Sequence, residues 1–213
     1  MNVPARKTAA LNSIRRTISR ARLLRTRLAI EGLYQSPGQQ PHRLPNPDKR
    51  DTTVFIFFEA AAAFEAFCYD VYILAIRKEF QVGPKVAKLL GGNIDGGKVM
   101  GWAAPPILAR RAQKVFGKQH FLSKLQKDLP ANTHDWLVAA HRMRNRIAHP
   151  ASDSGGKEYR KIFTLLTVPP AMRGAGPARL LSDYPTANGA TDKSFHRFLT
   201  AYEEFANHVS SHL

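Results

Sequence analysis

A single cysteine, Cys68, stands among 213 residues, so the chain can form no internal disulfide. That scarcity fits a reducing compartment, and the cytoplasm is the expected location. With Phe67, Tyr69 and Val71 around it, Cys68 reads as a small buried hydrophobe, and no base partner for it is evident. No GxSxG elbow appears either, which leaves acyl-transfer chemistry unsupported. Long charge-free apolar runs are also missing. The longest, residues 54–76, carries Glu59, Glu65 and Asp70, and charges inside a bilayer are expensive. No stable membrane insertion is therefore expected. The first thirty residues lack the continuous apolar stretch of a cleavable secretion leader, so none is expected. Acidic residues are scarce as well: sixteen Asp and Glu face thirty-two Lys and Arg, a formal charge of +16. A surplus of that size favours a polyanionic partner through counterion release. Charge alone does not choose among RNA, DNA, nucleotide and anionic membrane surface.

Strand-like alternation is nearly absent, and helical periodicity dominates, so the fold class expected is all-α. Residues 1–34 read as a basic amphipathic helix: Leu11, Ile14, Ile18, Ala21, Leu24 and Leu28 form one stripe, and arginines crowd the other faces. Three readings of this arm compete: a helix docked with its basic face outward, a membrane-surface helix and an organelle presequence. Residues 35–50 hold four prolines and read as a surface linker. Residues 51–80 read as the main core helix, capped by Asp51, Thr52 or Thr53. Glu59 and Asp70 share a face there, either as a solvated stripe or as one wall of a cleft. Residues 83–105 read as a glycine-rich loop with a short helix at 84–90. Helices are expected at 105–117, 119–128 and from 132 or 133 towards His149, with a short strand at 161–168 and a closing helix at 192–210. The string at 92–99 nearly spells a phosphate-binding loop, but Val99 replaces the hydroxyl residue that holds magnesium. Glu204, His208 and His212 recur at four-residue steps and read as a solvated helix face, so neither metal nor cofactor is expected.

The informative stretch runs from His141 to Pro150, HRMRNRIAHP. A proline disfavours the α conformation in the residue before it, so this helix should end near Ala148 and leave His149 at its edge. There the helix dipole favours an imidazolium, and Arg144 and Arg146 oppose it by like-charge repulsion. An imidazole and a guanidinium are also the side chains that metal-free RNA cleavage needs. One moves the proton of a 2′-hydroxyl or of the leaving oxygen; the other holds the scissile phosphate. On a continuous helix five residues would set Arg144 and His149 roughly 140° apart. Either the helix breaks before His149, or residues of two copies meet across a seam. His141, Asn145 and His149 fall at four-residue steps.

Arg144-Asn145-Arg146-Ile147-Ala148-His149 resembles the R-x4-6-H motif of HEPN domains, including the polar residue directly after the arginine. The resemblance covers residues 51–213, with an insertion around 83–118, and omits the N-terminal arm. It implies an up-and-down helical bundle that dimerises and, in active members, cuts RNA without metal. Many such proteins are toxins or defence ribonucleases of prokaryotes, some neutralised by a small nucleotidyltransferase-type antitoxin. By that likeness Arg144 and His149 would be catalytic, with Asn145 orienting substrate or the histidine. Arg142, Arg146 and His141 would contact RNA, and Glu59 would support the motif from behind. The alternatives are a non-catalytic HEPN module that binds RNA, nucleotide or a partner protein, and a basic membrane-surface protein.

Overall fold

The computed structural model describes residues 2–30, 33–34, 42–43, 46–93, 104–130, 132–186 and 189–213. The fold is all-α. Helix α1 spans Val3–Ile30, α2 Asn46–Phe80, α3 Pro84–Asn93, α4 Pro105–Phe116, α5 Leu125–Asp128, α6 Thr133–Ala148, α7 Asp153–Leu165, α8 Pro177–Asp183 and α9 Ser194–His212. Two short antiparallel ribbons accompany them, β1 (Leu33–Tyr34) with β2 (His42–Arg43) and β3 (Pro185–Thr186) with β4 (Gly189–Lys193).

Helix α2 is the axis of the bundle because it is apolar over most of its circumference, and those faces must be covered. Phe57, Phe64, Tyr72 and Ile76 are fully buried along it. Helix α9 answers with Phe195, Phe198, Tyr202 and Phe205. Phe64 stacks on Tyr202 with ring centroids 4.1 Å apart and meets Phe205 edge-on at 5.3 Å. Helix α1 packs along α2 and α9, and its Leu11, Ile14, Ile18 and Ala21 join the same core. The docked reading of the basic arm therefore holds over these positions. The apolar stripe stops short of its expected end, since Leu24 is exposed. Outward, Arg22 pairs with Glu203 at 2.9 Å and Arg15 donates to Asn207 at 3.0 Å, both on α9.

Several boundaries differ from the sequence reading. Helix α2 starts at Asn46, five residues before the expected cap, with Pro47 in its first turn, where a missing N–H costs nothing. Thr52 and Thr53 do not cap it. Their hydroxyls instead donate back to the carbonyls of Asp48 and Lys49, both at 2.7 Å. Residues 46–50, assigned above to the linker, are thus helical, and residues 35–41 and 44–45 lie outside the described residues. The same holds for 94–99 of the glycine-rich string. Helix α3 leans on α2 at Gly91, where a β-carbon would come within 2.7 Å of the Ile73 side chain. The strand expected at 161–168 is not formed: α7 runs through Leu165. Tyr159, Ile162, Phe163 and Leu166 bury one helical face, and that three-and-four spacing outweighs the strand preference of the KIFTLLTV composition.

Burial separates the two ends of α1 energetically. Ile14→Ala or Ile18→Ala should each cost about 2–5 kcal/mol, the usual range for emptying a packed aliphatic site. Leu24→Ala should stay within about 0.5 kcal/mol. Urea unfolding of the three variants measures both, and equal midpoints for all three would mean that α1 is not part of the cooperative core.

Candidate active site

Helix α6 carries most of the motif, and its end is set by Pro150. His149 leaves the helical region, with φ −132° and ψ 67°, while its N–H still closes the last turn on the Asn145 carbonyl at 3.0 Å. The chain then turns tightly, Ser152 N–H donating to the His149 carbonyl at 3.2 Å, and enters α7. Ser152 caps α7, its hydroxyl accepting from the Gly155 N–H at 3.1 Å. His149 is thus the C-cap residue of α6, still bonded to its last turn. Arg144 and His149 line one open cavity of about 1030 Å³.

That cavity sits among α2, α4, α6 and the start of α7. Ala62, Glu65, Ala66 and Tyr69 form the α2 wall, and His141, Arg142, Arg144 and Asn145 form the α6 wall. His149, Ser152, Ser154, Gly155 and Glu158 close the far side. His149 is exposed, whereas Arg144, Asn145 and His141 are partly buried.

A polar chain fixes the α6 wall. Glu65 holds Arg144 at 3.2 Å between Oε2 and Nη2. Arg144 Nη1 donates to Asn145 Oδ1 at 3.2 Å, and the guanidinium lies 5.7 Å from the Phe58 ring centre. With Oδ1 so engaged, the Asn145 amide nitrogen faces His141 Nε2 at 3.0 Å. The imidazole then accepts at Nε2 and carries its proton on Nδ1, a buried atom without a hydrogen-bond partner. Burial pulls the His141 imidazole below its ordinary range, with Arg144 and Arg142 adding to the effect and Glu65 opposing it. His141 is therefore a neutral prop for Asn145, which in turn orients Arg144.

The remaining expected residues divide. Arg142 lines the cavity but is paired with Glu158 at 3.3 Å. Arg146 does not line it. Its guanidinium donates to the Ser152 carbonyl at 3.4 Å and ties the end of α6 to the start of α7. Glu59 is exposed and outside the cavity wall, so the supporting carboxylate is Glu65, nearly two helical turns further on. Glu65 was visible in the sequence only as a charge inside an apolar run. The signal that would have found it is its company: Ala62, Ala66 and Tyr69 at helical steps leave room beside it.

The second histidine group behaves differently from its reading as a solvated face. Glu204 is held by Arg197 at 3.1 Å and accepts from Thr133, while His208 is buried against Phe121 and His212. Among the described residues no group of three or more His, Cys, Asp or Glu is placed to hold a metal ion.

Burial also lowers His120 and His208 from their ordinary value. With three imidazoles depressed, the folded state binds fewer protons than the unfolded chain below about pH 6.5. Their stabilising share is complete above that value and is lost as pH falls through the folded values. The urea midpoint should therefore drop between about pH 7.5 and about pH 5, and His141→Gln should flatten part of that slope. A midpoint that rises on acidification would contradict the burial assigned to these rings. No protein-family model, curated protein or solved structure matches this chain.

Proposed function

We propose that the chain is a metal-independent endoribonuclease of the HEPN type, with Arg144 and His149 as its reacting pair. The observation that carries this reading is that Arg144, Asn145 and His149 all line one open cavity. The high positive charge supports a polyanionic substrate. In the reaction a 2′-oxygen attacks the adjacent phosphorus, the P–O5′ bond breaks, and the products are a 2′,3′-cyclic phosphate and a 5′-hydroxyl. His149, exposed at the rim, takes the 2′-hydroxyl proton or delivers one to the departing O5′. Arg144 holds the phosphate through N–H groups not already given to Glu65 and Asn145, and stabilises charge as it builds on the oxygens. Glu65 and Asn145 keep the guanidinium in place, which lowers the cost of ordering it. A homodimer would set two such pairs at one cleft and let one imidazole serve as base while the other serves as acid. A toxin or defence role, a nucleotidyltransferase-type antitoxin and a cytoplasmic location belong to the same reading.

A second reading has one observation in its favour. Both cavity arginines are paired with carboxylates, Arg144 with Glu65 and Arg142 with Glu158, so the cavity walls are close to charge-neutral. A non-catalytic module that binds RNA or a nucleotide would tolerate that balance.

One assay separates the two. In EDTA, the wild-type chain should fragment a mixed cellular RNA pool and leave cyclic-phosphate ends, and 2′-blocked RNA and DNA should stay intact. Arg144→Ala should slow cleavage by about 10²–10³-fold, and His149→Ala by about 10²–10⁴-fold. Retained RNA affinity with no cleavage by any of the three proteins would establish the binding module instead.

A further inference from the structure

The near-neutral walls of the first cavity leave unexplained how a polyanion is held. Two cations there meet two carboxylates at 3.2–3.3 Å, so little net attraction remains for a phosphate chain. The cations that would supply it must lie beside the cavity.

A second cavity, of about 370 Å³, does lie beside it. Its walls come from the start of α1, the second half of α2 and α3, and its charged groups are Arg6, Arg77, Lys88 and Asp70. Tyr69 belongs to the walls of both cavities and forms the partition between them. Three cations against one carboxylate leave this pocket with a surplus of positive charge, unlike its neighbour. Among the described residues, Arg77 Nε and Nη1 are buried and have no hydrogen-bond partner, as is also the case for Arg144 Nε in the first cavity. An unsatisfied buried guanidinium donor is costly, and a ligand oxygen would relieve it. Arg6 and Lys88 are exposed at the mouth. Desolvation at the cavity wall raises the Asp70 carboxyl from its ordinary value, with Lys88 and Arg6 acting against it. One carboxylate is too few to neutralise three cations.

We propose that the second cavity is a phosphate subsite for single-stranded RNA, continuous with the Arg144–His149 cavity across Tyr69. In this arrangement a strand lying in the first cavity crosses the Tyr69 partition, where a base can stack on the ring, and delivers a neighbouring backbone phosphate to Arg77, Arg6 and Lys88. The first cavity positions one phosphate for reaction, and the second supplies affinity. Double-stranded RNA, with its bases paired, cannot place one on the partition. The proposal takes its substrate class from the proposed function but makes a claim about binding alone.

The test is therefore a binding measurement that does not require cleavage. A fluorescent, uncleavable 2′-O-methyl single strand of about twelve nucleotides is titrated into the full wild-type chain and into the Arg6→Glu/Lys88→Glu double variant. Both positions are exposed, so folding should be preserved, and the urea midpoint checks it. The double variant should bind at least about tenfold more weakly and show a salt dependence shallower by about 1.4 in logarithmic slope, the share of two single-strand phosphate contacts. A Lys118→Glu/Lys127→Glu control changes the net charge equally outside both cavities and should lose much less. Equal loss in the two double variants would overturn the subsite, as would wild-type binding unchanged in the Arg6/Lys88 variant. So would preference for anionic phospholipid vesicles over the oligonucleotide. Absence of nuclease activity would leave the affinity comparison readable, so failure of the catalytic reading and failure of the subsite stay distinct.

Discussion

The aromatic seam between α2 and α9 is the contact on which the other helices depend. Phe64, set between Tyr202 and Phe205, locks the two helices in register, and Phe57 against Phe198 extends the lock at 5.4 Å. Large rings bury much area at little conformational cost and tolerate few alternative packings. With α2 held on that side, its other faces receive α1, α3 and α6. An uncovered strip runs along α2 through Phe55, Glu59, Ala62 and Ala66, and the candidate site forms at its Ala62, Glu65, Ala66 and Tyr69. Small side chains keep the site open, and Glu65 finds a cation across the gap.

The polar chain from Glu65 through Arg144 and Asn145 to His141 has a clear division of labour. A guanidinium that must grip a transient charge loses efficiency if it wanders, and each partner in the chain removes a degree of freedom. The same pairing also cancels charge. A site can be well ordered by counter-ions and still attract a ligand weakly, and in the proposed arrangement the two cavities around Tyr69 would divide these tasks. Ordering dominates on the α6 side, whereas uncompensated cations dominate on the α1 side.

How much of this was legible beforehand depended on the reach of each signal. The helix end at Ala148 was legible because Pro150 acts on its immediate neighbour. The stripe of α1 was legible because burial imposes its period directly. The start of α2 was misread because Thr52 and Thr53 suit a cap as well as they suit back-bonding to the preceding turn, and local chemistry does not distinguish the two uses. Residues 161–165 were misread because β-branched and aromatic residues served a helical face. The partners of the motif were least legible. Glu65 meets Arg144 across seventy-nine positions of chain, and no local pattern encodes a meeting at that separation. Glu59, a few residues away, had equal claim by composition and points to solvent.

The docking of α1 on α9 has a temporal consequence. Lys7 reaches the Ser210 carbonyl at 2.9 Å across 203 positions, so α1, which precedes α9 in the chain, completes its packing only once α9 is present. A contact across so many residues carries a large loop-closure entropy. Until then the Ile14 and Ile18 face has α2 alone to rest on, and the ring of Phe64 lacks its stack. A ribosome-bound chain from which α9 has not yet emerged would thus present an incomplete core.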